Sequence, residues 1–241
     1  LGELAISTEI DFLLNKASRG YIDSALTDFG GGGNLSPPAT YELGIIGKGK
    51  NEKVKSFFRY LAYAKACESF AVKENEYWDY EKKEAGVSQA DTKLYDALNK
   101  AFTDSKDEFI RQRYWFQMVR YNFYFNVPAA ITLFEKYKDS FTKNSIFYRT
   151  MASAAGALYK QRNYAKANYY YSLVFAESDK LKTVAHWSFR PQEEADWKQT
   201  LALCKNNEER ITLWQMLGIF YKDELRSMQE IYKLDPKSAK I

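Results

Sequence analysis

The sequence predicts an all-α protein. Across residues 51–236, apolar side chains recur every three or four positions, as Val54, Phe57 and Leu61 do, and this spacing places them on one face of a helix. Hydrophobic residues make up 46% of the 241-residue chain, which is enough to supply a substantial core. The chain also contains 19 Tyr, 16 Phe and 5 Trp, and aromatic side chains at helical spacing are expected to fill the space between paired helices.

Charge and hydropathy argue against two classes of function. The 35 basic residues exceed the 31 acidic residues by only 35 − 31 = 4, which is too small a surplus to indicate a nucleic-acid-binding protein. No apolar run reaches the roughly 18 residues that a membrane-spanning helix needs, so we expect a soluble chain without a transmembrane segment. The first residue is Leu1 rather than Met, which a removed signal peptide or a trimmed chain would explain. The compartment stays open, with export to the periplasm or cell envelope marginally favoured over the cytoplasm.

The N-terminal part combines predicted helices with a long loop. Residues 1–29 are predicted to form two helices, the first starting near Thr8, and residues 30–50 form a loop rich in Gly and Pro. The segment Gly44–Asn51 approaches the phosphate-binding pattern G-x-x-x-x-G-K-[ST]. Because Asn51 replaces the hydroxyl residue of that pattern and no strand precedes it, we do not expect nucleotide binding.

Residues 51–105 are predicted to be helical without a repeat signature. One helix ends before Asn75, and Ser88 with Asp91 forms the start pattern of the next. The aromatic segment Tyr77–Tyr80 lies between the two helices and is followed by charged residues, so we expect it to form a loop.

Residues 106–241 contain the most regular helical pattern. The helix predicted over 106–125 carries two apolar stripes, one through Tyr114 and the other through Trp115. A helix of this kind either lies between neighbouring helices or lines a groove. Further helices are predicted from about Pro128, over 145–160, over 164–177, over 180–186, over 192–205 after a break at Ser188–Pro191, and from Asn206 or Asn207 onward.

Two segments of this region carry a family signature. The segment Trp214–Tyr221 has the order W-x-x-L-G-x-x-Y, which resembles the first helix of a tetratricopeptide repeat. The segment Tyr159–Ala167, YKQRNYAKA, resembles the turn between the two helices of such a repeat. The resemblance extends over residues 106–236, and the whole chain also looks similar to uncharacterised bacterial helical repeat proteins. After Tyr221 fewer residues remain than a full repeat uses, so the inter-helix turn there is expected to be short.

The resemblance implies a right-handed α-solenoid of antiparallel helix pairs over residues 106–241. It also implies a non-enzymatic scaffold that binds a protein or peptide ligand on its concave face, which in this family is lined by the first helix of each pair. The lysine, asparagine and arginine clamp with which some members hold a terminal carboxylate has no counterpart here. The contact is therefore expected to be mostly apolar, with hydrogen bonds from Arg149 and glutamine. Carried over residue by residue, the groove would comprise Gln112, Trp115, Phe116, Val119, Phe123, Arg149, Ser153, Tyr159, Gln215 and Ile219.

Other functions receive less support from the residues. A glycan-binding or cell-envelope accessory protein is the main alternative, with exposed aromatic residues such as those of the predicted loop Tyr77–Tyr80 stacking on sugar rings. An enzyme is disfavoured because His186 is the only histidine and no nucleophile or metal motif accompanies it, so we expect no catalytic residue, metal or cofactor. Cys67 and Cys204 stand among apolar neighbours on separate predicted helices, which favours buried free thiols over a disulfide between them.

Overall fold

The computed structural model describes residues 52–71, 91–221 and 223–240, and within them it contains ten α-helices, one 3-10 helix and no strand. The all-α prediction is therefore confirmed for this part of the chain. The predicted segments 1–29 and 30–50 and the loop Tyr77–Tyr80 lie outside the described residues. The α-helices are α1 (Glu52–Ala71), α2 (Thr92–Asp104), α3 (Glu108–Phe125), α4 (Val127–Tyr137), α5 (Ser145–Lys160), α6 (Tyr164–Glu177), α7 (Lys182–Ser188), α8 (Glu194–Ala202), α9 (Asn207–Tyr221) and α10 (Glu224–Leu234), and the 3-10 helix is Asp179–Leu181.

The chain divides into two compact units, residues 1–117 and 118–241, and the boundary between them falls within α3. In the first unit, α1 packs against α2. In the second unit α6 is the central helix, since α5, α7, α8, α9 and the 3-10 helix all contact it, while α4 packs on α5 and α10 packs on α9. Among the helices described, none combines the length and the apolarity needed to cross a bilayer.

Most helix starts in the second unit are fixed by asparagine side chains. The Oδ1 atom of Asn126 accepts the Ala129 N–H at 3.3 Å, and that of Asn163 accepts the Lys166 N–H at 3.2 Å. The same contact precedes α5, where Asn144 accepts two backbone N–H groups at 3.0 and 3.1 Å. These N-caps satisfy backbone donors that have no partner inside the helix, and this explains why α5 and α6 begin where the sequence predicts.

The turn between α5 and α6 is a Schellman motif with an arginine in the left-handed position. The Arg162 N–H donates to the Tyr159 carbonyl oxygen and the Asn163 N–H donates to the Leu158 carbonyl oxygen, both at 2.9 Å. Arg162 has a φ of 60°, and it is the one non-glycine residue with a positive φ in the described part of the chain. This turn ends α5 and allows α6 to begin at Tyr164, so that the two helices pack on each other across a three-residue connection.

The W-x-x-L-G-x-x-Y segment occupies α9 and places its glycine against α10. A Cβ atom at Gly218 would lie 3.0 Å from the Cβ and 3.2 Å from the Oγ of Ser227, so glycine permits the close approach of these two helices. Trp214 is buried, with its ring 5.1 Å from that of Trp197 between ring centroids. The connection between α9 and α10 is short, as the sequence predicts, because α9 ends at Tyr221 and α10 begins at Glu224.

Two neighbouring tyrosines of α6 link this helix to carboxylates on other helices. The Tyr169 hydroxyl donates to Glu209 of α9 at 3.0 Å, and the Tyr170 hydroxyl donates to Glu135 of α4. Lys138 and Lys166 pair with the same Glu135 carboxylate at 2.7 and 2.8 Å. Partial burial alone would raise the pKa of Glu135, but the hydrogen bonds from the two lysines and Tyr170 outweigh it and lower this pKa to about 2.

Candidate functional site

Helix α5 has one side open to solvent. Phe147, Met151, Ala154 and Leu158 are buried against its neighbours. Arg149 is exposed on the opposite side, and Ser153, half-buried four residues later, lies on the same face. Tyr159 is also half-buried, but its spacing of six residues from Ser153 turns it about 120° around the helix axis, so it lies at the margin of this face. The structure therefore places Arg149 and Ser153 together on the open side of α5, with Tyr159 at its margin.

One edge of this face is formed by Phe123 of α3 and Lys160. The Lys160 ammonium donates to the Phe123 carbonyl oxygen at 2.9 Å and lies 3.7 Å from the centroid of the Phe123 ring. Burial lowers the pKa of Lys160. Beneath the ring is Gly156, where an added Cβ would lie 2.9 Å from a Phe123 ring carbon and 3.3 Å from the Tyr171 hydroxyl. Glycine at this position thus lets the Phe123 ring lie close to α5.

The other edge is the loop between α7 and α8, and a buried asparagine holds its backbone. Asn168 of α6 is fully buried, and its side chain accepts the Arg190 N–H at 2.8 Å and donates to the Arg190 carbonyl oxygen at 3.1 Å. The Tyr221 hydroxyl donates to the carbonyl oxygen of the preceding residue, Phe189, at 3.0 Å. These three hydrogen bonds satisfy consecutive backbone groups and fix the direction in which the exposed Arg190 side chain leaves the loop.

The loop is connected to the open face of α5 through Gln192. Its Nε2 atom donates to the Tyr159 hydroxyl at 3.3 Å and to the Arg190 carbonyl oxygen at 3.0 Å. Burial raises the pKa of Tyr221, while the positive charge of Arg190 opposes this shift and Tyr159 adds to it. We refer to Tyr159, Arg190, Gln192 and Tyr221 as the tyrosine–arginine cluster.

The remaining predicted groove residues are distributed between the two units. In the first unit, Gln112 and Trp115 are buried and Phe116 is half-buried, and in the second unit Val119 is buried. A ligand cannot reach the three buried residues while the helices keep this packing. On α9, Gln215 is half-buried and Ile219 is 59% exposed one turn further on. Of the predicted groove residues, Arg149 and Ile219 are exposed, and the half-buried ones are Phe116, Phe123, Ser153, Tyr159 and Gln215.

Sequence reasoning did not find Arg190, Gln192 or Tyr221 as surface candidates. The segment Ser188–Pro191 was predicted only as a break between helices, and that break is confirmed by the end of α7 at Ser188. No local pattern signals the contact that fixes the loop, because its partner Asn168 lies 22 residues earlier in the chain. Tyr221 belongs to the repeat signature, but the signature does not say what the hydroxyl contacts.

The other predicted candidates have ordinary structural environments. The exposed His186 ring lies against Phe220, with ring centroids 3.6 Å apart. Cys67 and Cys204 are buried free thiols, as predicted, and burial raises the pKa of Cys204 to about 11. Within the described residues, no group of three or more His, Cys, Asp or Glu side chains is arranged to hold a metal ion. The segment Gly44–Asn51 lies outside these residues.

The first unit contains a cavity that the sequence does not predict. It has a volume of about 550 Å³ and lies between α1, α2 and the start of α3. Tyr63 and Tyr114 form part of its apolar wall, and burial raises the pKa of Tyr114 above its ordinary range. The lining carries both signs of charge, with the basic residues Lys53, Arg59, Lys100 and Lys106 and the acidic residues Glu52, Asp104 and Asp107.

Comparison with known proteins returned no match at the level of protein families, characterised proteins or solved structures.

Proposed function

We propose that this chain is a non-enzymatic scaffold that binds a protein or peptide segment on the open face of α5, next to the tyrosine–arginine cluster. The observation that carries the proposal is the reciprocal pair of hydrogen bonds between Asn168 and the Arg190 backbone. Because the backbone of the loop is fixed before any ligand arrives, binding would restrict the Arg190 side chain but would not have to order the backbone of the loop. The half-buried ring of Tyr159 would supply apolar contact area beside these polar groups.

We further propose that residues 106–241 are built as tetratricopeptide-like repeats, with α5 and α6 as one antiparallel pair and α9 and α10 as another in a right-handed solenoid. Support comes from the short connections within both pairs and from the glycines at which neighbouring side chains approach closely, Gly156 and Gly218. In such an arrangement α5 and α9 would line the concave face, so that Arg149 and Ile219 would contribute to one groove.

Selection of binding peptides tests the first proposal. A displayed library of random 12-residue peptides is selected on the wild-type chain, and the recovered peptides are measured by fluorescence polarisation. We expect Tyr159→Ala and Ile219→Ser each to weaken binding by about tenfold, as loss of an apolar contact at an interface does. Leu225→Ser on α10 is the matched control, because Leu225 is also an exposed apolar residue, at 72% against 59% for Ile219. Recovery of no peptide, or equal loss in the control variant, would refute the proposed binding face.

A second candidate function is glycan binding, which one exposed side chain favours. Trp187 on α7 is 71% exposed, and a flat indole ring open to water can stack on a sugar ring. On this alternative, a glycan array would show binding that Trp187→Ala abolishes and Ile219→Ser leaves unchanged. Binding that behaves in the opposite way would favour the peptide scaffold.

A further inference from the structure

The Arg190 side chain is exposed. Within the described part of the chain, no carboxylate forms an ion pair with it. Arg226 differs from Arg190 in this respect, because its guanidinium donates hydrogen bonds to both carboxylate oxygens of Glu194, at 2.8 and 3.2 Å. The exposed guanidinium, which has five N–H donors, therefore extends from a backbone that Asn168 fixes in place.

The hydrogen bonds of the tyrosine–arginine cluster leave one further donor. Gln192 Nε2 uses its two hydrogens for the Tyr159 hydroxyl and the Arg190 carbonyl oxygen, and the Tyr221 hydroxyl uses its hydrogen for the Phe189 carbonyl oxygen. The Tyr159 hydroxyl accepts from Gln192, so its own hydrogen remains to be donated. The donors left for a ligand are thus the guanidinium of Arg190 and the hydroxyl of Tyr159.

A carboxylate fits this set of donors. It has two oxygens that accept hydrogen bonds only, and it can receive two parallel N–H groups from a guanidinium and an O–H from a phenol at the same time. Its single negative charge also matches the single guanidinium. Lys160, the residue after Tyr159, directs its ammonium to the Phe123 carbonyl oxygen instead.

We propose that Arg190 and Tyr159 bind the carboxylate of an acidic side chain, Asp or Glu, in a peptide that lies along α5. The inference rests on the proposed peptide-binding function and names the chemistry of one contact within it. The free C-terminal carboxylate of a peptide is the other source of the same group, and the experiment below separates the two. The recognised ligand is an acidic peptide rather than a purely apolar one.

The test uses a peptide selected from the displayed library and synthesised with a fluorescent label. Four forms are compared: the parent, the peptide with its acidic residue changed to the amide, the peptide with a C-terminal amide, and the peptide with both changes. We expect the side-chain change to weaken binding about 10- to 100-fold, because a charge-assisted hydrogen bond is lost, and we expect the C-terminal amide to have little effect. The variant Arg190→Gln should weaken the parent peptide by a similar factor and should leave the amide form almost unchanged.

Two further variants separate the carboxylate contact from general effects on the surface. Tyr159→Phe keeps the ring and removes the hydroxyl, and we expect a loss of about 3- to 10-fold for the parent peptide. Lys198→Gln removes an exposed positive charge elsewhere on α8 and should change the affinity less than twofold. Because the loop is fixed through the backbone of Arg190, the Arg190→Gln chain should unfold at the wild-type temperature.

The outcomes distinguish the two proposals. Selected peptides that bind through Ile219 but contain no acidic position, or that tolerate its replacement by the amide, would overturn the carboxylate contact and leave the scaffold function intact. Loss of affinity on C-terminal amidation alone would overturn the assignment to a side chain. Failure to select any peptide would overturn both proposals. Equal affinity for a double-stranded DNA 20-mer or for phosphatidylserine vesicles would show a general preference for anions and would also overturn the assignment.

Discussion

Replacing Arg162 by glycine should stabilise the protein. Arg162 occupies the left-handed position of the turn between α5 and α6, with a φ of 60°. A residue with a Cβ atom pays about 1 to 2 kcal/mol for this conformation, because Cβ crowds the following carbonyl oxygen. Glycine avoids that cost but gains roughly 0.5 to 1 kcal/mol of extra entropy in the unfolded chain. The expected net gain from Arg162→Gly is therefore about 0.5 to 1 kcal/mol.

Urea unfolding followed by circular dichroism measures the difference in the free energy of unfolding, and thermal unfolding of the same variants gives the difference in midpoint temperature. If the chain unfolds in one cooperative transition, a gain of this size raises the midpoint of thermal unfolding by about 1 to 4 °C. Arg162→Ala is the control, because it removes the charge and the long side chain but retains the Cβ atom. We expect this variant to show no gain. Arg162→Val should be destabilised, by about 1 kcal/mol or more, since a branched side chain tolerates positive φ least well.

One outcome would refute the reasoning about the turn. If Arg162→Gly and Arg162→Ala changed the free energy of unfolding by the same amount, the left-handed backbone would not be a source of strain. The effect would then come from the exposed arginine side chain itself. A loss of stability in Arg162→Gly that Arg162→Ala did not share would mean that the turn is not formed as described.

Three further substitutions test the contacts that position the site. Asn168→Ala should cost about 2 to 3 kcal/mol in urea unfolding, because the N–H and C=O of Arg190 lose their partners, and a cost below 0.5 kcal/mol would contradict the proposed anchoring of the loop. Gly156→Ala should destabilise the wild-type chain by about 1 kcal/mol, because the added methyl group meets the Phe123 ring. In a Phe123→Ala chain the same substitution should stabilise by about 1 kcal/mol through helix propensity. Additivity of the two changes would argue against the contact. For Glu135, whose folded-state pKa is lowered to about 2, the stabilising contribution is present above the ordinary pKa of 4.5 and disappears as the pH falls toward 2. The difference in the free energy of unfolding between wild type and Glu135→Gln should therefore shrink by about 1 to 2 kcal/mol from pH 6 to pH 2.5. This figure allows for the solvent that screens the half-buried carboxylate. A difference that stays constant with pH would disprove the link between the Glu135 pKa and stability.

The helices of the second unit could be predicted from the sequence because their signals are local. The bounds 145–160 and 164–177 agree with α5 and α6, since asparagine caps and apolar spacing act within one or two turns of a helix. Where local signals were weak, the prediction was less accurate. The helix expected over 192–205 is limited to Glu194–Ala202. At its start the Glu193 N–H is satisfied by Asp196, and at its end the N–H groups of Leu203 and Cys204 donate to carbonyl oxygens three rather than four residues earlier.

The accessibility of the predicted groove was decided by tertiary packing. A helix with two apolar stripes, such as the one over 106–125, can either lie between neighbours or line a groove, and periodicity does not distinguish these arrangements. In the structure Trp115 and Val119, one from each unit, are both buried, whereas Arg149 and Ile219 are exposed. The identity of each neighbouring helix determines this outcome, and that information is distributed over the whole chain.

The sequence by itself determined that the described residues are helical, where most of those helices begin and end, and that both cysteines are buried thiols. Only the tertiary structure decided which residues meet at the tyrosine–arginine cluster. The contact between Asn168 and Arg190 joins residues 22 positions apart, and the contact between Phe189 and Tyr221 joins residues 32 positions apart. Local backbone preferences extend over only a few residues, so contacts at these separations exist only once α6, α7, α8 and α9 have packed together.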